Sequence, residues 1–233
     1  MKKPIIGIVG RARLDIDSKK AILCYESLNR SVNKNGGIPF LILPNQDVEY
    51  SISIPNKVPR LTDNEKEDLK RLVDMCDGII QPGGNRLFEY DQFIYEYAKE
   101  KDIPILGICA GMQLICLNEV KEDNILRKVN DDDTHQEQEE KYVHKVILED
   151  NTVLMDILKE KEFMVNSKHT YCVDKIGDLK LLAKSEDGIV EGIQVKNKKF
   201  IVGIQWHPES MFGYDDIQYK MFEYFINKCK PKE

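Results

Sequence analysis

Short apolar segments alternate with amphipathic segments through the first half of the sequence, and this alternation most constrains the fold. The apolar segments are rich in β-forming residues and cover residues 4–9, 38–43, 77–81 and 103–108. Segments with apolar residues at helical spacing separate them, at residues 21–34, 64–75 and 88–100. Strand–helix–strand repeats place parallel strands side by side and the helices on the sheet faces. The sequence therefore predicts an α/β fold with a doubly wound, mostly parallel sheet flanked by helices.

The second half of the sequence predicts a smaller antiparallel strand region and a closing helix. The strand-like segments are shorter and cover residues 142–148, 162–166, 180–184, 189–195 and 200–204, and the helix covers 215–228. Turn-forming residues such as Asp187-Gly188 lie between several of these strands, which favours antiparallel connections. Polar segments at 45–62 and 130–141 are interpreted as surface loops. We interpret residues 1–233 as one domain.

The composition excludes several classes of function. With 42% hydrophobic and 32% charged residues, the 233-residue chain has the composition of a soluble globular protein. The net charge of -6 disfavours nucleic acid as a partner. No segment approaches the roughly 20 apolar residues that span a bilayer, and the first ten residues are interpreted as a strand rather than an export signal. We therefore expect a cytoplasmic protein with no nucleic-acid or membrane partner, and a homodimer is compatible with the sequence.

The cysteines do not form a pattern typical of a metal site or of a disulfide framework. They are Cys24, Cys76, Cys109, Cys116, Cys172 and Cys229. No two of them form a C-x-x-C pair, and a chain of this size without an export signal rarely depends on disulfides. We predict that most of them are small buried residues and that the protein uses no metal and no cofactor.

One cysteine lies in a different setting, in the segment Gly107-Ile108-Cys109-Ala110-Gly111. This segment follows an apolar strand and precedes a helical stretch, as a nucleophile does in a strand–turn–helix elbow. Such a turn strains the backbone at the nucleophile, and glycine neighbours supply the space that it needs. A helix that begins at Cys109 favours the thiolate, which is the reactive form. Alone, the pattern fits a buried structural cysteine equally well.

A second motif, Gln205-Trp206-His207-Pro208-Glu209, follows the last predicted strand. Residues two apart in an extended chain point to the same side, so Glu209 can orient the ring of His207. Pro208 restricts the backbone on both sides of its nitrogen. A carboxylate that orients an imidazole, and an imidazole that faces a nucleophile, are the base-and-orienter pair of a catalytic triad. An incidental surface loop is the competing interpretation.

A third motif, Gln81-Pro82-Gly83-Gly84-Asn85, also follows a predicted strand. Backbone amides that are not shielded by side chains suit an oxyanion hole. We assign this role to the amides near Gly84 and Ala110. Without Cys109, a simple tight turn would be the better interpretation.

In this order and spacing, the three motifs resemble the class I glutamine amidotransferase-like superfamily. Other segments resemble the γ-glutamyl-γ-aminobutyrate hydrolase-like family of cysteine peptidases, and the resemblance covers nearly the whole chain. These segments are Tyr25, Gly36 to Pro44, His135, His144-Lys145-Val146, Val165 to His169, Ser185 to Gly188 and Val190 to Ile193.

The resemblance implies cleavage of a γ-glutamyl amide bond in a small molecule through a thioester. Cys109 would attack the side-chain carbonyl, His207 would move the proton from the thiol to the leaving amine, and Glu209 would orient His207. Gln113 matches the last residue of the family's nucleophile motif and would help place the glutamyl group. His169 matches the histidine of the N-S-x-H segment and would line the pocket, or serve as a structural residue.

The sequence departs from the family's pattern around the predicted cleft. Ala110 stands where these hydrolases usually carry arginine, and Tyr90-Asp91 replaces an Arg-Asp pair. Asn118-Glu119-Val120 replaces a glycine-rich turn, and the loop after the Pro-Gly-Gly turn is short. These departures predict an intact catalytic set in a substrate pocket that differs from that of a typical member.

Three functions are compatible with these motifs. The favoured one is a free-standing γ-glutamyl hydrolase. The first alternative is a glutaminase subunit that delivers ammonia to a synthase partner, although no synthase domain is fused to this chain. The second is a non-catalytic sensor or binding protein on the same fold. The sequence does not identify the leaving amine.

Overall fold

A large mixed sheet forms the centre of the computed structural model, which describes residues 2–15, 17–46, 60–129, 134–136 and 140–230. The strands are β1 (Ile5–Val9), β2 (Arg11–Leu14), β3 (Lys20–Leu23), β4 (Ile38–Ile42), β5 (Gly78–Gln81), β6 (Ile105–Ile108), β7 (Leu126–Lys128), β8 (His144–Leu148), β9 (Glu162–Val165), β10 (Tyr171–Val173), β11 (Lys180–Ser185), β12 (Val190–Gln194) and β13 (Ile201–Ile204). The α-helices are α1 (Glu26–Lys34), α2 (Asp63–Asp74), α3 (Glu89–Glu100), α4 (Ala110–Glu119), α5 (Val153–Leu158) and α6 (Ile217–Cys229).

The strand order confirms the predicted fold class. Among the described residues the main sheet has the order β4-β1-β5-β6-β13-β12-β11-β8-β9. The pairs from β4 to β13 are parallel, and the pairs from β13 to β9 are antiparallel. The parallel half is therefore built mainly by the first half of the chain, and the antiparallel region by the second half, as the sequence predicts.

The apolar side chains of the parallel strands alternate between two helical layers. Ile80 and Leu106 belong to a core that also includes residues of α1, α5 and α6. Their neighbours Ile79 and Ile105 belong to a second core with residues of α2, α3 and α4. Successive residues of a strand point to opposite faces, so strands covered on both faces consist of continuous apolar runs. This explains why β5, β6 and β13 are buried throughout.

The helix predicted from residue 21 begins later, and that boundary was wrong. Lys20–Leu23 is strand β3, which pairs antiparallel with β2, and α1 begins at Glu26. The apolar residues from Ala21 onward have helical spacing, but pairing with β2 satisfies the backbone of 20–23 in an extended form. Long-range pairing of this kind overrides local periodicity.

Four other short elements were not predicted: strand β2, the strands β7 and β10, which pair with each other, and helix α5. The predicted loops at 45–62 and 130–141 fall largely on residues outside the described ones, although Thr134–Gln136 forms a 3-10 turn. No helix in the described part of the chain is long and apolar enough to cross a bilayer.

Candidate active site

Cys109 occupies a strained turn between β6 and α4, as the sequence predicts. Its backbone has a φ of +52°, a region that non-glycine residues rarely adopt. A Cβ atom on Gly111 would lie 2.0 Å from the carbonyl oxygen of Gln81, and one on Gly107 would lie 2.7 Å from that of Gly111. Both flanking glycines are therefore required by close backbone approaches. Helix α4 begins directly after Cys109, so the free amides of its first turn lie next to this residue.

His207 is brought to Cys109 by the pairing of two parallel strands. Ile204 at the end of β13 is in register with Ile108 at the end of β6, so the residues that follow both strands meet at one edge of the sheet. The Cys109 thiol lies close enough to the His207 ring to raise the pKa of that ring. A Cβ atom on Gly83 would lie 2.5 Å from Cε1 of His207 and 3.4 Å from Cβ of Cys109. The turn after β5 thus packs against both side chains.

Glu209 holds the other side of the His207 ring. Nδ1 of His207 and Oε1 of Glu209 are 2.7 Å apart, and Glu209 is buried. The predicted contact is present, but the predicted extended backbone is wrong, because Pro208–Met211 forms a 3-10 turn. The amide of Ser210 donates to the carbonyl of His207 and closes this turn. Proline suits the first position of such a turn, where its missing N–H is not needed.

The backbone of His207 is held by the side chain of Asn166. The amide nitrogen Nδ2 donates to the carbonyl of His207 at 2.8 Å, and Oδ1 accepts from its N–H at 2.9 Å. This two-point contact fixes the peptide that carries the imidazole. In the sequence Asn166 stands out only as part of a family motif, since nothing local indicates its long-range partner.

The electrostatic setting favours a positive charge on His207. Burial of the ring lowers its pKa, but the Glu209 carboxylate and Cys109 oppose this effect more strongly. The pKa of His207 is therefore raised well above its usual value. A nearby carboxylate stabilises the charged imidazolium, which is the form that an imidazole takes after it accepts a proton.

Arg11 shapes the turn after β5, a role that no motif in the sequence indicates. Its guanidinium pairs with the buried carboxylate of Asp91, and it donates to the carbonyls of Pro82 and Gly83. In a trans peptide the C=O and the N–H point in opposite directions. The N–H of Gly84 consequently points away from Arg11.

Gln113 lies one helical turn beyond Cys109, with its amide nitrogen already engaged. Nε2 donates to the carbonyl of Tyr171 at 2.8 Å and to Oε1 of Gln205 at 3.3 Å. In the described structure Gln113 therefore connects α4 to the segment around Tyr171.

His169 belongs to a separate buried group with His135, His144 and Glu191. One potential ligand atom from each of these four residues lies within 4.8 Å of the others. Burial lowers the pKa of His169 to about 4 and raises that of Glu191 to about 7. Among the described residues this group has the donor atoms to hold a metal ion, and no single motif in the sequence indicates that the four converge.

The chain is similar to several known proteins. The peptidase C26 family matches residues 88–209, which is more than half of the chain. The gamma-glutamyl-gamma-aminobutyrate hydrolase PuuD of Escherichia coli K12 is 28% identical over 99% of this chain and 95% of its own. A glutamine amidotransferase-like protein of Rickettsia prowazekii is 27% identical over 74% of this chain and 84% of its own. The glutaminase domain of Trypanosoma brucei CTPS, solved with bound acivicin, has a TM-score of 0.68 and 18% identity, covering 97% of this chain and 93% of that one.

Proposed function

Because the chain belongs to the peptidase C26 family of the class I glutamine amidotransferase-like superfamily, we propose that it hydrolyses the γ-glutamyl amide bond of a small molecule. The family is one of cysteine-type hydrolases, and the geometry around Cys109 supports that chemistry. The observation that carries the proposal is that the His207 ring lies beside Cys109 while its Nδ1 lies 2.7 Å from Oε1 of Glu209.

The proposed reaction has two halves. His207 takes the thiol proton on Nε2, the ring nitrogen that does not face Glu209, and the resulting Cys109 thiolate attacks the amide carbonyl beside the positively charged ring. His207 then gives that proton to the leaving amine, the C–N bond breaks, and a thioester remains on Cys109. Water, deprotonated by His207, attacks the thioester and releases the γ-carboxylate and the thiol. Glu209 keeps the ring in the required tautomer and stabilises its positive form.

The negative oxygen of each tetrahedral intermediate needs donors that point at it before the reaction starts. We assign this role to the amides of Gly84 and Ala110. The Ala110 amide is one of the unpaired donors at the start of α4. The Gly84 amide is directed away from Arg11, because Arg11 binds the Gly83 carbonyl of the same peptide.

The substrate class follows from the relatives and from the site. PuuD matches this chain over nearly the full length of both, and its name describes hydrolysis of a γ-glutamyl amide. We propose that Gln113 supports the glutamyl-binding side of the pocket, through its contact with Tyr171. His169, which the resemblance places in the pocket, belongs instead to the buried group with His135, His144 and Glu191. We propose small γ-glutamyl amides as the ligands of this site.

The test is amine release from a panel of γ-glutamyl amides, glutamine included. Wild type is compared with Cys109→Ala and with the matched control Cys24→Ala, which removes a partly exposed thiol elsewhere. We expect the wild type and Cys24→Ala to turn over at least one conjugate, and Cys109→Ala to lose turnover while it remains folded.

Other outcomes distinguish the alternatives. Turnover of glutamine alone, rising only with a synthase present, would support the glutaminase-subunit function. No turnover by the wild type, with a Cys109 thiol that resists alkylation at neutral pH, would support a binding protein. Substantial turnover by Cys109→Ala would contradict the proposed nucleophile.

A further inference from the structure

A buried group of four side chains takes no part in the chemistry proposed for Cys109. Its members are His135, His144, His169 and Glu191. All four side chains are buried, and Glu191 has no exposed surface. Both carboxylate oxygens of Glu191 and Nε2 of His144 lack a hydrogen-bond partner among the described residues. Buried polar atoms are nearly always paired, and a buried carboxylate without partners is costly. These buried atoms therefore need a binding partner beyond the described side chains.

The distances within the group do not fit hydrogen bonds from histidine to Glu191. Oε1 of Glu191 lies 3.6 Å from Nδ1 of His135, 3.6 Å from Nε2 of His144 and 3.7 Å from Nε2 of His169. Hydrogen bonds between such atoms are about 2.7–3.2 Å long. Three nitrogens therefore surround one oxygen at nearly equal distances, each too far away to bond to it directly.

The same distances fit four ligands around one ion. Zinc binds histidine nitrogen and carboxylate oxygen at about 2.0–2.2 Å, so neighbouring ligand atoms of a tetrahedral site lie about 3.4 Å apart. Nδ1 of His135 and Nε2 of His169 are 3.1 Å apart, and the three distances to Glu191 are 3.6–3.7 Å. All four atoms lie within 4.8 Å of one another.

The outer ring nitrogens of the histidines are oriented as metal ligands require. Nε2 of His135 lies 3.0 Å from Oδ2 of Asp187, and Nδ1 of His169 lies 3.1 Å from the carbonyl of Tyr171. Nδ1 of His144 lies 3.4 Å from the carbonyl of Lys145. These oxygens accept an N–H, which leaves the lone pair on the inner nitrogen of each ring. The inner nitrogens are the three that surround Glu191.

We propose that these four residues bind a structural zinc ion through Nδ1 of His135, Nε2 of His144, Nε2 of His169 and Oε1 of Glu191. Four protein ligands in a buried site leave no position open for substrate, which is the arrangement of structural rather than catalytic zinc. The ligands come from the 3-10 turn at Thr134–Gln136, β8, the segment after β9, and β12. The ion would cross-link four segments that are far apart in the sequence.

The proposed ion would also stabilise the segment that supports His207. Two residues that support the candidate active site lie within five residues of His169. Asn166 holds the His207 backbone, and the carbonyl of Tyr171 accepts a hydrogen bond from Gln113. Ser167 between them donates to the carbonyl of His135 at 2.8 Å. Loss of the ion is thus expected to loosen the support of the candidate active site without removing any group that contacts substrate.

The test begins with untagged wild-type protein purified without chelator, whose metal content is measured by elemental mass spectrometry. We expect about one zinc per chain, and a metal-stripped protein whose Tm rises as zinc is added back. Cobalt added to the stripped protein is expected to give the strong visible absorption of a tetrahedral site. Stripped wild type that neither takes up zinc nor changes its Tm would overturn the proposal, leaving a metal-free polar cluster.

Variants locate the ion. Glu191→Gln and His169→Asn are expected to lose zinc, whereas His207→Asn, which changes the remaining histidine of the chain, is expected to keep it. Zinc lost only from His207→Asn would place the metal at Cys109 and His207 and overturn the proposal. If the cluster variants do not fold, the wild-type zinc titration and the cobalt spectrum decide the question. Each of these measurements is independent of amide hydrolysis, so failure of the proposed function would not affect them.

Discussion

At the level of single residues, His207 is the best-supported side chain in the candidate active site. Asn166 fixes its backbone with two hydrogen bonds, and Glu209 contacts one ring nitrogen. Burial of the ring lowers the pKa of His207, but Glu209 and Cys109 together raise it well above its usual value. The charged form of the ring is therefore built into the folded protein, and part of the stability of the fold depends on it.

This linkage predicts a pH-dependent effect of Glu209→Gln. Since the folded pKa of His207 is raised, the stabilisation is fully present below the unfolded pKa of about 6.5 and is lost as the pH rises through the folded value. Glu209→Gln should lower the pKa of His207. It should also lower the Tm more at about pH 6 than at about pH 9.

Both measurements are best made in a Cys109→Ala background, which removes the contribution of the thiol. The His207 ring can be followed by NMR, because the chain has four histidines. An unchanged pKa of His207, or an equal loss of Tm at both pH values, would contradict the assigned role of Glu209.

At the level of elements, the site depends on three turns that follow neighbouring strands. The turns after β5, β6 and β13 carry Gly83, Cys109 and His207, and they meet because these strands are adjacent and parallel. Arg11, just after β1, holds the carbonyls of the first turn and pairs with Asp91 of α3. The position of each reactive group is thus set by the strand ends rather than by flexible loops.

The packing of the turn after β5 predicts the effect of Gly83→Ala. The added methyl group would meet Cε1 of His207 at 2.5 Å, so the ring must leave its position beside Gly83. A displacement of about 1 Å can lower a rate about 100-fold, and we expect a loss of that order in kcat/KM. The Tm should change little, because the atom that the methyl group meets belongs to a side chain, which can move more easily than backbone.

Gly37→Ala is the matched control, since its methyl group would meet Ile226 and Val32 at 2.9 Å in the core. We expect that variant to lose stability but to keep its activity at temperatures where it is folded. Equal kinetic losses in both variants would indicate a general effect of glycine replacement and would contradict the geometry described for Gly83.

At the level of the whole molecule, stability is concentrated in the centre of the main sheet. Strands β6 and β13 are hydrogen-bonded on both sides and have no exposed residues. The pair formed by β2 and β3 is a separate two-stranded sheet in which most residues are partly or fully exposed. Local opening should therefore require much less free energy in that pair than in the central strands.

Hydrogen exchange followed by mass spectrometry tests this difference. Peptides that cover β6 and β13 should exchange much more slowly than peptides that cover β2 and β3, after correction with the unfolded chain. Equal protection of the two regions would show that the molecule opens only as one unit, contrary to this expectation.

The main strands and the longer helices were predictable because each depends on a pattern within a few residues. Helix α2 is an example, since Thr62 and Glu65 form a capping box at its start. Strand β3 was not predictable, because its apolar spacing also fits a helix and only its pairing with β2 decides the conformation. Short paired elements such as β7 and β10 likewise depend on a partner far along the chain.

The sequence by itself determined the alternation of strands and helices and the elbow at Cys109. Glycine and proline act on the backbone next to them, so these features follow from local rules. Only the tertiary structure decided that Arg11 pairs with Asp91, that Asn166 supports His207, and that three histidines meet Glu191. These contacts join residues whose separation in sequence is unrelated to any helical or strand period, and they form because the order of strands in the sheet brings the chain segments together.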